Sequence, residues 1–379
     1  MTRSTDVIVI GAGIAGSACS IELARQGHRT LLLDRQQFPR HKTCGEFMSP
    51  ETREMLEHLG VDLLDCEKTT GLMDHASIIL PDGGEIEAPL PGTAYGISRY
   101  VLDQHLHKQA REAGANIITK ANIIAIRQLE NKKYEVEVKQ GDEYIRYQAK
   151  AVIGAHGSKK LRGTESGEGL RDETIYVGVK SHYRGIRIPA RVELYFCNGG
   201  YVGISPIEND TVNVAALLTL DSVQGSGKSV PEIIQAAALT NTRLAARLSE
   251  GRTVQGTQVS VAPLQLSNVP EPWSSYPHIG DAMLVIPPLC GDGMSIALRS
   301  AILCARWTDS YLKDELHYDA WQSEYTREAN REFAPLLRRA RTIQQLAFAR
   351  TNRFYPALAR MFPGLASYVV KATRLSGMR

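Results

Sequence analysis

Asp6-Val7-Ile8-Val9-Ile10-Gly11-Ala12-Gly13-Ile14-Ala15-Gly16 decides how this chain folds. A buried-strand run meets three glycines without a spacer, and apolar residues at Ala18, Ile21, Leu23 and Ala24 then recur at helical spacing. The order is strand, tight turn, helix. Gly11 can take turn dihedrals that a Cβ forbids, Gly13 lets the backbone come close to a bound pyrophosphate, and Gly16 lets the helix lie close on the strand. The helix N-terminus then faces the phosphates with free N–H groups and the positive end of its dipole. Thr30-Leu31-Leu32-Leu33 is a second buried strand ending on Asp34. An acid about twenty residues past the glycines is placed to accept hydrogen bonds from a ribose. Asp34 rather than a base favours a free 2′-hydroxyl, as in FAD or NAD, over NADP, and the fingerprint alone does not choose between those two.

A chain of 379 residues is long for a single core, so two domains are expected. With 43% hydrophobic and 22% charged residues the composition is that of a soluble globular protein. The net charge is +3, yet residues 327 to 379 hold eleven Lys or Arg against two Glu, so the tail is +9 and the remainder −6. No stretch approaches the roughly twenty apolar residues that span a bilayer. Met1-Thr2-Arg3 leads at once into the first strand, which leaves no room for a signal peptide. Cysteines at 19, 44, 66, 197, 290 and 304 form no Cys-x-x-Cys pair and read as reduced thiols of a cytoplasmic protein. The histidines show no His-x-x-x-His spacing, so no metal site is indicated.

Beyond Asp34 a polar link, Phe38-Pro39-Arg40-His41-Lys42-Thr43-Cys44-Gly45-Glu46, carries basic residues that suit phosphates or solvent, and a helix is predicted from about Pro50 to Leu59. Residues 76 to 88 read as a hairpin turning at Pro81-Asp82-Gly83-Gly84. Ser98-Arg99 opens an amphipathic helix that ends at Gly114, and a strand follows at Asn116 to Ile118. Tyr134 to Val138 and Tyr144 to Tyr147 alternate at period two, and Ala151-Val152-Ile153-Gly154 returns the chain to the parallel sheet. Strands at 175 to 183, 191 to 196, 201 to 206 and 211 to 218 form a meander belonging to a second, antiparallel layer. Pro231 to Leu248 is predicted as one helix, and Gln258 to Leu264 as a strand.

The second informative stretch is His278-Ile279-Gly280-Asp281, continuing through Pro287-Pro288-Leu289-Cys290-Gly291-Asp292-Gly293-Met294 into a helix from Ser295 to Leu312. A helix opening at a glycine pair points bare N–H groups at whatever lies before it, and Asp281 at a strand end suits a chain of hydroxyls. A capped helix after a loop is the plainer reading. Two phosphate-and-polyol-type sites 270 residues apart fit one long ligand.

With these motifs in order, the sequence resembles the FAD-containing oxidoreductases of the para-hydroxybenzoate hydroxylase superfamily, nearest to its geranylgeranyl reductase and flavin-dependent halogenase branches. The resemblance rests on the fingerprint with Asp34, the Phe38-Pro39-Arg40 to Cys44-Gly45-Glu46 segment, the Ser98-Arg99 helix start, and Gly280-Asp281 through Pro288, Gly291 and Gly293. It implies an α/β fold: a Rossmann-type, glutathione-reductase-like FAD domain (1–75, 95–165 and 255–312), an inserted antiparallel substrate domain (76–94 and 166–254), and a basic helical C-terminal region (313–379). Gly11, Gly13 and Gly16 would hold the pyrophosphate, Asp34 the ribose, Arg99 the diphosphate side and Asp281 the ribityl chain. Ala15, Arg35, Cys44, Gly45 and Gly280 complete the cofactor contacts. Gly291, Gly293 and Met294 would face the pyrimidine edge of the isoalloxazine, where helix N–H groups stabilise the charge of reduced flavin. Cys44, Tyr201 and Met294 are the candidates for the pocket wall, and no general acid or base is identified.

The departures narrow the chemistry. Aromatic hydroxylases of the superfamily carry an Asp in the motif that here reads Gly154-Ala155-His156-Gly157; His156 replaces it, which counts against direct reduction by a nicotinamide, and NAD(P)H or a separate reductase is the expected electron source. The Trp-x-Trp-x-Ile-Pro segment and catalytic Lys of tryptophan-type halogenases are not found. Geranylgeranyl reductases show Tyr-x-Trp-x-Phe-Pro where this chain reads Tyr201-Val202-Gly203-Ile204-Ser205-Pro206, which predicts a roomier pocket. The leading expectation is a monooxygenase hydroxylating a small aromatic, polyketide or lipid-like substrate through a flavin C4a-hydroperoxide. A flavin-dependent reductase of carbon–carbon double bonds is the alternative, and a non-catalytic flavin- or lipid-binding protein a third.

From Arg327 onward basic residues alternate with Leu336, Leu337, Ile343, Leu346, Phe348, Phe354, Leu358, Met361, Phe362, Leu365, Tyr368 and Val369, and Pro356 and Pro363 divide the region into short helices. Such a stripe suits an anionic membrane face, or an acidic carrier protein, or simply packing on the parent domain with the charge turned to water. The partners expected are a small-molecule substrate and one of these surfaces, with no nucleic acid.

Overall fold

The computed structural model describes residues 2–63, 71–159, 174–349, 351–375 and 377, so Cys66 and the opening of the inserted domain at 166 lie outside the described residues. A four-stranded parallel sheet runs in the order Ala151–Gly154, Val7–Ile10, Thr30–Leu33, Asn116–Ile118. Ala151–Gly154, Val7–Ile10 and Thr30–Leu33 are buried throughout, which is why they read as continuous apolar runs, whereas the edge strand Asn116–Ile118 is partly exposed. Val7, Val9, Leu32 and Ile153 join one core, shared with the helices Ile14–Arg25, Arg99–Glu112 and Gly293–Leu312. Ile8, Ile10, Leu31, Leu33 and Val152 point the other way, onto Tyr134, Val136, Val138 and Tyr147 of a second sheet.

That second sheet has the order Thr2–Ser4, Glu143–Ala149, Tyr134–Gln140, Ala121–Gln128. Its two outer strands carry no sequence signal. Thr2–Ser4 is exposed throughout, and a register shift between Ile123 and Ala125 breaks the alternation of Ala121–Gln128.

A nine-stranded sheet forms the second layer. From one edge it runs Arg252–Thr253, Tyr176–Arg184, Thr211–Thr219, Gly200–Ile207, Arg191–Cys197, Gly71–Ile79, Glu85–Gly96, Phe47–Met48, with Val259–Leu264 also paired to Tyr176–Arg184. All pairings are antiparallel except Arg191–Cys197 beside Gly71–Ile79. One face is closed by two helices, Val230–Ala238 and Thr242–Ser249. The single helix expected over Pro231 to Leu248 is therefore broken, and Asn241 breaks it. Its Oδ1 caps Leu244 N–H at 3.2 Å while its Nδ2 donates to the carbonyls of Ile79 and Phe196, so the side chain competes with the helical backbone.

The basic C-terminal region begins as one 30-residue helix, Tyr318–Ala347. Trp321, Tyr325, Ala329, Phe333, Leu336, Leu337 and Ala340 bury one face of it in the main core, and Trp321 stacks on Tyr311 at 4.4 Å. Only beyond it do Pro356 and Pro363 produce short helices, Tyr355–Met361 and Pro363–Ala372. Among the described residues no helix is long and apolar enough to cross a membrane.

Candidate active site

The glycines of the fingerprint divide by what surrounds them. Gly11, at φ +109°, could accept a Cβ only by driving it into the Ala155 carbonyl, and a Cβ on Gly16 would enter the Gly11 carbonyl oxygen. Packing fixes these two. Gly13 has φ −79°, and a Cβ there meets nothing nearer than Arg99 Nη2 at 3.5 Å. The polypeptide itself does not require glycine at 13, whereas a pyrophosphate laid against the helix start would. Asp34 braces the turn: Oδ2 accepts Ala12 N–H at 2.8 Å and Oδ1 accepts Gln36 N–H at 2.7 Å. Each oxygen keeps a second lone pair for a ribose hydroxyl. His107 Nε2 lies 2.8 Å from the Ala12 carbonyl and holds the turn from beneath.

Two guanidinium groups reach this turn. Arg99, buried, is held bidentate by Asp103, with Nε to Oδ1 and Nη2 to Oδ2 both at 2.9 Å. Arg40 stands over the Phe38 ring at 4.8 Å, and its buried Nε has no hydrogen-bond partner among the described residues. Burial depresses the Arg40 guanidinium from its ordinary value. A buried, orphaned cationic donor beside Gly13 and Arg99 fits a diphosphate. Arg35, by contrast, is exposed beyond the strand end.

The second motif closes on the first. Gly280, at φ +58°, packs so that a Cβ would lie 2.9 Å from the Ala15 methyl, and its N–H donates to Ser300 Oγ at 2.9 Å. Segments more than 260 residues apart thus touch at Ala15. Asp281 follows, its Oδ2 3.5 Å from Lys42 Nζ. Gly291, at φ +75°, seats Phe47, whose Cδ1 would be 2.8 Å from a Cβ there. Cys44 Sγ lies 3.8 Å from Met294 Sδ, bringing the Cys44-Gly45 turn against the Gly293–Leu312 helix start. Cβ atoms on Gly45 and Gly293 would meet nothing within 4 Å. No side chain caps this helix, so its first N–H groups are left to a ligand.

The residue at the N-cap, Asp292, is fully buried and its side chain makes no capping bond. Its Oδ1 accepts Arg374 Nη1 at 2.8 Å and its Oδ2 has no partner among the described residues. Burial raises its carboxyl from 3.8 to about 7 against the pull of Arg374. Between these values the unfolded chain has released its proton and the folded chain has not, so stability falls as pH rises and levels above about 7. In Arg374→Ala the native carboxyl titrates higher still, and the fall continues into the alkaline range. The variant is expected to cost about 1 kcal/mol at pH 6 and roughly 3 kcal/mol at pH 8.5, the latter the penalty of a stranded buried charge. Urea midpoints at the two pH values check it, and an equal loss at both would place the ion pair outside the titration.

Behind Cys44-Gly45 lies an ionic cluster the sequence reading did not assemble. Glu46, at φ +52° and with no exposure, accepts Arg99 N–H at 2.9 Å and Lys180 Nζ at 2.8 Å on Oε1. His182 Nε2 lies 2.6 Å from Oε2. Burial opposes ionisation, but the His182 hydrogen bond and the Lys180 charge lower the Glu46 carboxyl below its ordinary value, and the start of the Arg99–Glu112 helix favours an anion there. Lys180 and His182 share one face of Tyr176–Arg184, while Val177, Val179 and Tyr183 of that strand join the opposite core. In the same row, Asn213 and Ser205 donate to the Gly45 carbonyl at 2.9 and 3.0 Å. His41 Nδ1 accepts from Lys180 Nζ at 3.3 Å, and burial with the neighbouring Lys180 charge holds its imidazole down to about 4. His41 stacks at 5.0 Å on Tyr100, which reaches solvent. Lys180, a fully buried lysine two residues before a histidine of the same strand face, was the available signal.

Of the three pocket candidates, Cys44 and Met294 meet, while Tyr201 stands apart. Its ring is buried against Phe196 and Phe348, at 6.3 and 6.5 Å, and burial raises its phenol well above the usual range. Gly203 and Ser205, where the sequence predicts a roomier pocket, face Leu194 and the Gly45 backbone. A Cβ on Gly203 would already sit 3.3 Å from Leu194 Cδ2, and buried Ser205 is bonded to the Gly45 backbone. His156 lies at the rim, edge-on to His278 at 5.6 Å, with Nδ1 2.9 Å from the Lys159 carbonyl oxygen.

A glycine cradle, an acid at the second strand end and a bare helix terminus converging from opposite ends of the chain define a dinucleotide-binding flavoprotein. Residues 4–314 match the FAD binding domain family, and the chain belongs to it. It is an FAD-dependent oxidoreductase. The menaquinone reductase of Mycobacterium tuberculosis is 28% identical over 81% of this chain and 77% of that protein. Digeranylgeranylglycerophospholipid reductase 2 of Methanosphaera stadtmanae is 25% identical over 82% and 79%. In fold the chain resembles the flavin-dependent brominase Bmp2, with a TM-score of 0.81 at 19% identity over 98% of this chain and 93% of that one. A geranylgeranyl bacteriochlorophyll reductase-like protein from Thermoplasma acidophilum aligns at 0.77 and 20% over 99% and 94%. Reductases and halogenases share this architecture, so the fold does not choose between them.

Proposed function

We propose that this chain is a flavin-dependent reductase that saturates a carbon–carbon double bond of an isoprenoid-like apolar substrate. The observation that carries the reading is the buried Glu46–Lys180–His182 cluster behind the Cys44-Gly45 turn. Saturating a double bond takes a hydride equivalent and a proton, and FAD, once reduced by an external electron donor, would supply the former. The cofactor would be held by the Gly13 turn, Asp34, Arg40, Arg99, Asp281 and the start of the Gly293–Leu312 helix. The proton is the protein's part. Lys180 Nζ and His182 Nε2 donate to one carboxylate, and neutral His41, itself only half-buried, accepts from Lys180 on the side toward solvent. Restoring a buried donor needs such a connection. The relatives that share sequence as well as fold are named as reductases of a quinone and of a prenylated lipid, which supports an apolar, isoprenoid class of substrate.

The experiment uses chemically reduced protein with menaquinone or a geranylgeranyl lipid under strict anaerobiosis, with mass analysis of the product. A product that keeps two added hydrogens in its isoprenoid chain after any quinol has been reoxidised in air is the expected result. Turnover only in air, with oxygen consumed and one oxygen atom retained in the product, would establish hydroxylation instead and overturn the reductase reading.

A further inference from the structure

The C-terminal helices are turned inside out. Phe354, Leu358, Met361, Phe362, Leu365, Tyr368 and Val369 recur at the three- and four-residue spacing of one helical face, continued across the break at Pro363. Such a stripe ordinarily faces the core. Here every one of these side chains is exposed, Met361 at 71% and Tyr368 at 70%. Of the sixteen large hydrophobic side chains exposed among the described residues, nine fall between Leu346 and Val369, so the apolar surface is concentrated rather than scattered. A patch of that kind marks an interaction surface.

The helices are not loose. Pro356 is buried against Gly84, the Pro363–Ala372 helix packs along strand Glu85–Gly96, and Thr373 is buried beside Arg374, which is paired with Asp292. The outward direction of the stripe is therefore set by contacts on its inner side. From Phe333 to the end the chain has nine Lys or Arg and no Asp or Glu. Arg353, Arg360 and Lys371, within or next to the stripe's helices, are exposed, as are Arg338 and Arg339 on the helix before them.

We propose that this face docks on an anionic lipid bilayer, the apolar stripe entering the headgroup boundary and the surrounding cations meeting lipid phosphates. Charge complementarity selects the occupant: an interfacial helix combines an apolar stripe with a cationic border, and this segment carries no acid to oppose it. Docking has a consequence for the site. Phe348, at the near end of the patch, lies over Tyr201 and Phe196, and Arg374, at the far end, holds the residue before the Gly293–Leu312 helix. A lipid-facing surface thus adjoins the start of the Gly293–Leu312 helix, whichever reaction occurs at the site.

The test is flotation of the full chain, loaded with FAD, with vesicles of phosphatidylcholine alone or with about one third phosphatidylglycerol, at low and high salt. Wild-type protein is expected to float with the anionic vesicles at low salt. Met361→Glu/Phe362→Glu is expected to lower partitioning at least tenfold with FAD content and melting temperature unchanged. Arg353→Ala/Arg360→Ala/Lys371→Ala is expected to remove most of the salt dependence. No flotation, or equal flotation of the Glu variant, would overturn the proposal. So would an absence of lipid binding accompanied by a dimer in sedimentation velocity that the Glu variant dissolves, or by binding to an acidic acyl carrier protein.

Discussion

Glu46→Gln is expected to lower turnover by about a hundredfold or more, the scale of a lost acid–base contribution, while the protein stays yellow with full FAD. The glutamine carbonyl can still accept Arg99 N–H, so the start of the Arg99–Glu112 helix survives. What changes is charge. Lys180, with no exposure, loses its carboxylate, and the His182 nitrogen now faces an amide. A buried ammonium left without its carboxylate costs about 3 kcal/mol, and the charge balance of the cluster is lost. Two readouts separate proton supply from structural support: the pH profile of turnover and its solvent isotope effect, both expected to change with FAD content constant. Stability supplies a control with a definite sign. Glu46 is depressed below its unfolded value of 4.5, so its contribution is complete above that pH and is lost as pH falls toward the native value. The destabilisation of Glu46→Gln relative to wild type should therefore shrink below about pH 4.5. A folded, flavin-loaded variant with unchanged kinetics would leave the cluster a structural tie.

The order of the antiparallel strands is not local, since Tyr176–Arg184 pairs with Thr211–Thr219 and not with the next strand of the expected meander, Arg191–Cys197. The strands themselves and the tight glycine contacts do follow from local pattern. Each is encoded in short runs with a fixed period or a glycine that packing demands, as at Gly11, Gly16 and Gly280. The Glu46 cluster is of another kind. Its members are separated by 134 and 136 residues, and only the folding of the 38–49 segment onto the Tyr176–Arg184 strand brings them together. Asn241 shows the same limit locally: it reads as an ordinary helix residue until the Ile79 and Phe196 carbonyls are placed beside it. Gly203 belongs with them, since what lies beside a glycine depends on its neighbour across the sheet, here Leu194. The tail exposes a further ambiguity. A helical stripe gives the spacing of a face but not its direction, and within one basic region the stripe faces inward at Trp321, Tyr325 and Phe333 and outward at Leu358, Met361 and Leu365.

Gly13→Val is expected to abolish FAD binding while leaving the fold intact, and the contrast with its neighbours carries the argument. A methyl on Gly16 would enter the Gly11 carbonyl, so Gly16→Ala should fail as a fold, with or without cofactor. At 13 the first side-chain carbon would have ordinary contact with Arg99 Nη2 at 3.5 Å and open space elsewhere. The backbone there, at φ −79° and ψ −168°, is open to a branched residue. The valine methyls would instead occupy the space over the start of the Ile14–Arg25 helix where the pyrophosphate must come close. Displacing it by the width of a methyl forfeits two or more charge-assisted hydrogen bonds, roughly 3–6 kcal/mol. That corresponds to at least a hundredfold in affinity, and at the upper end more than a ten-thousandfold. The measurement pairs flavin content after reconstitution with the melting temperature of the stripped protein. A colourless Gly13→Val whose stripped form melts with stripped wild type assigns glycine at 13 to the ligand. Full flavin occupancy in that variant would mean the cofactor approaches the chain elsewhere, and would also remove Arg40 and Arg99 from its diphosphate.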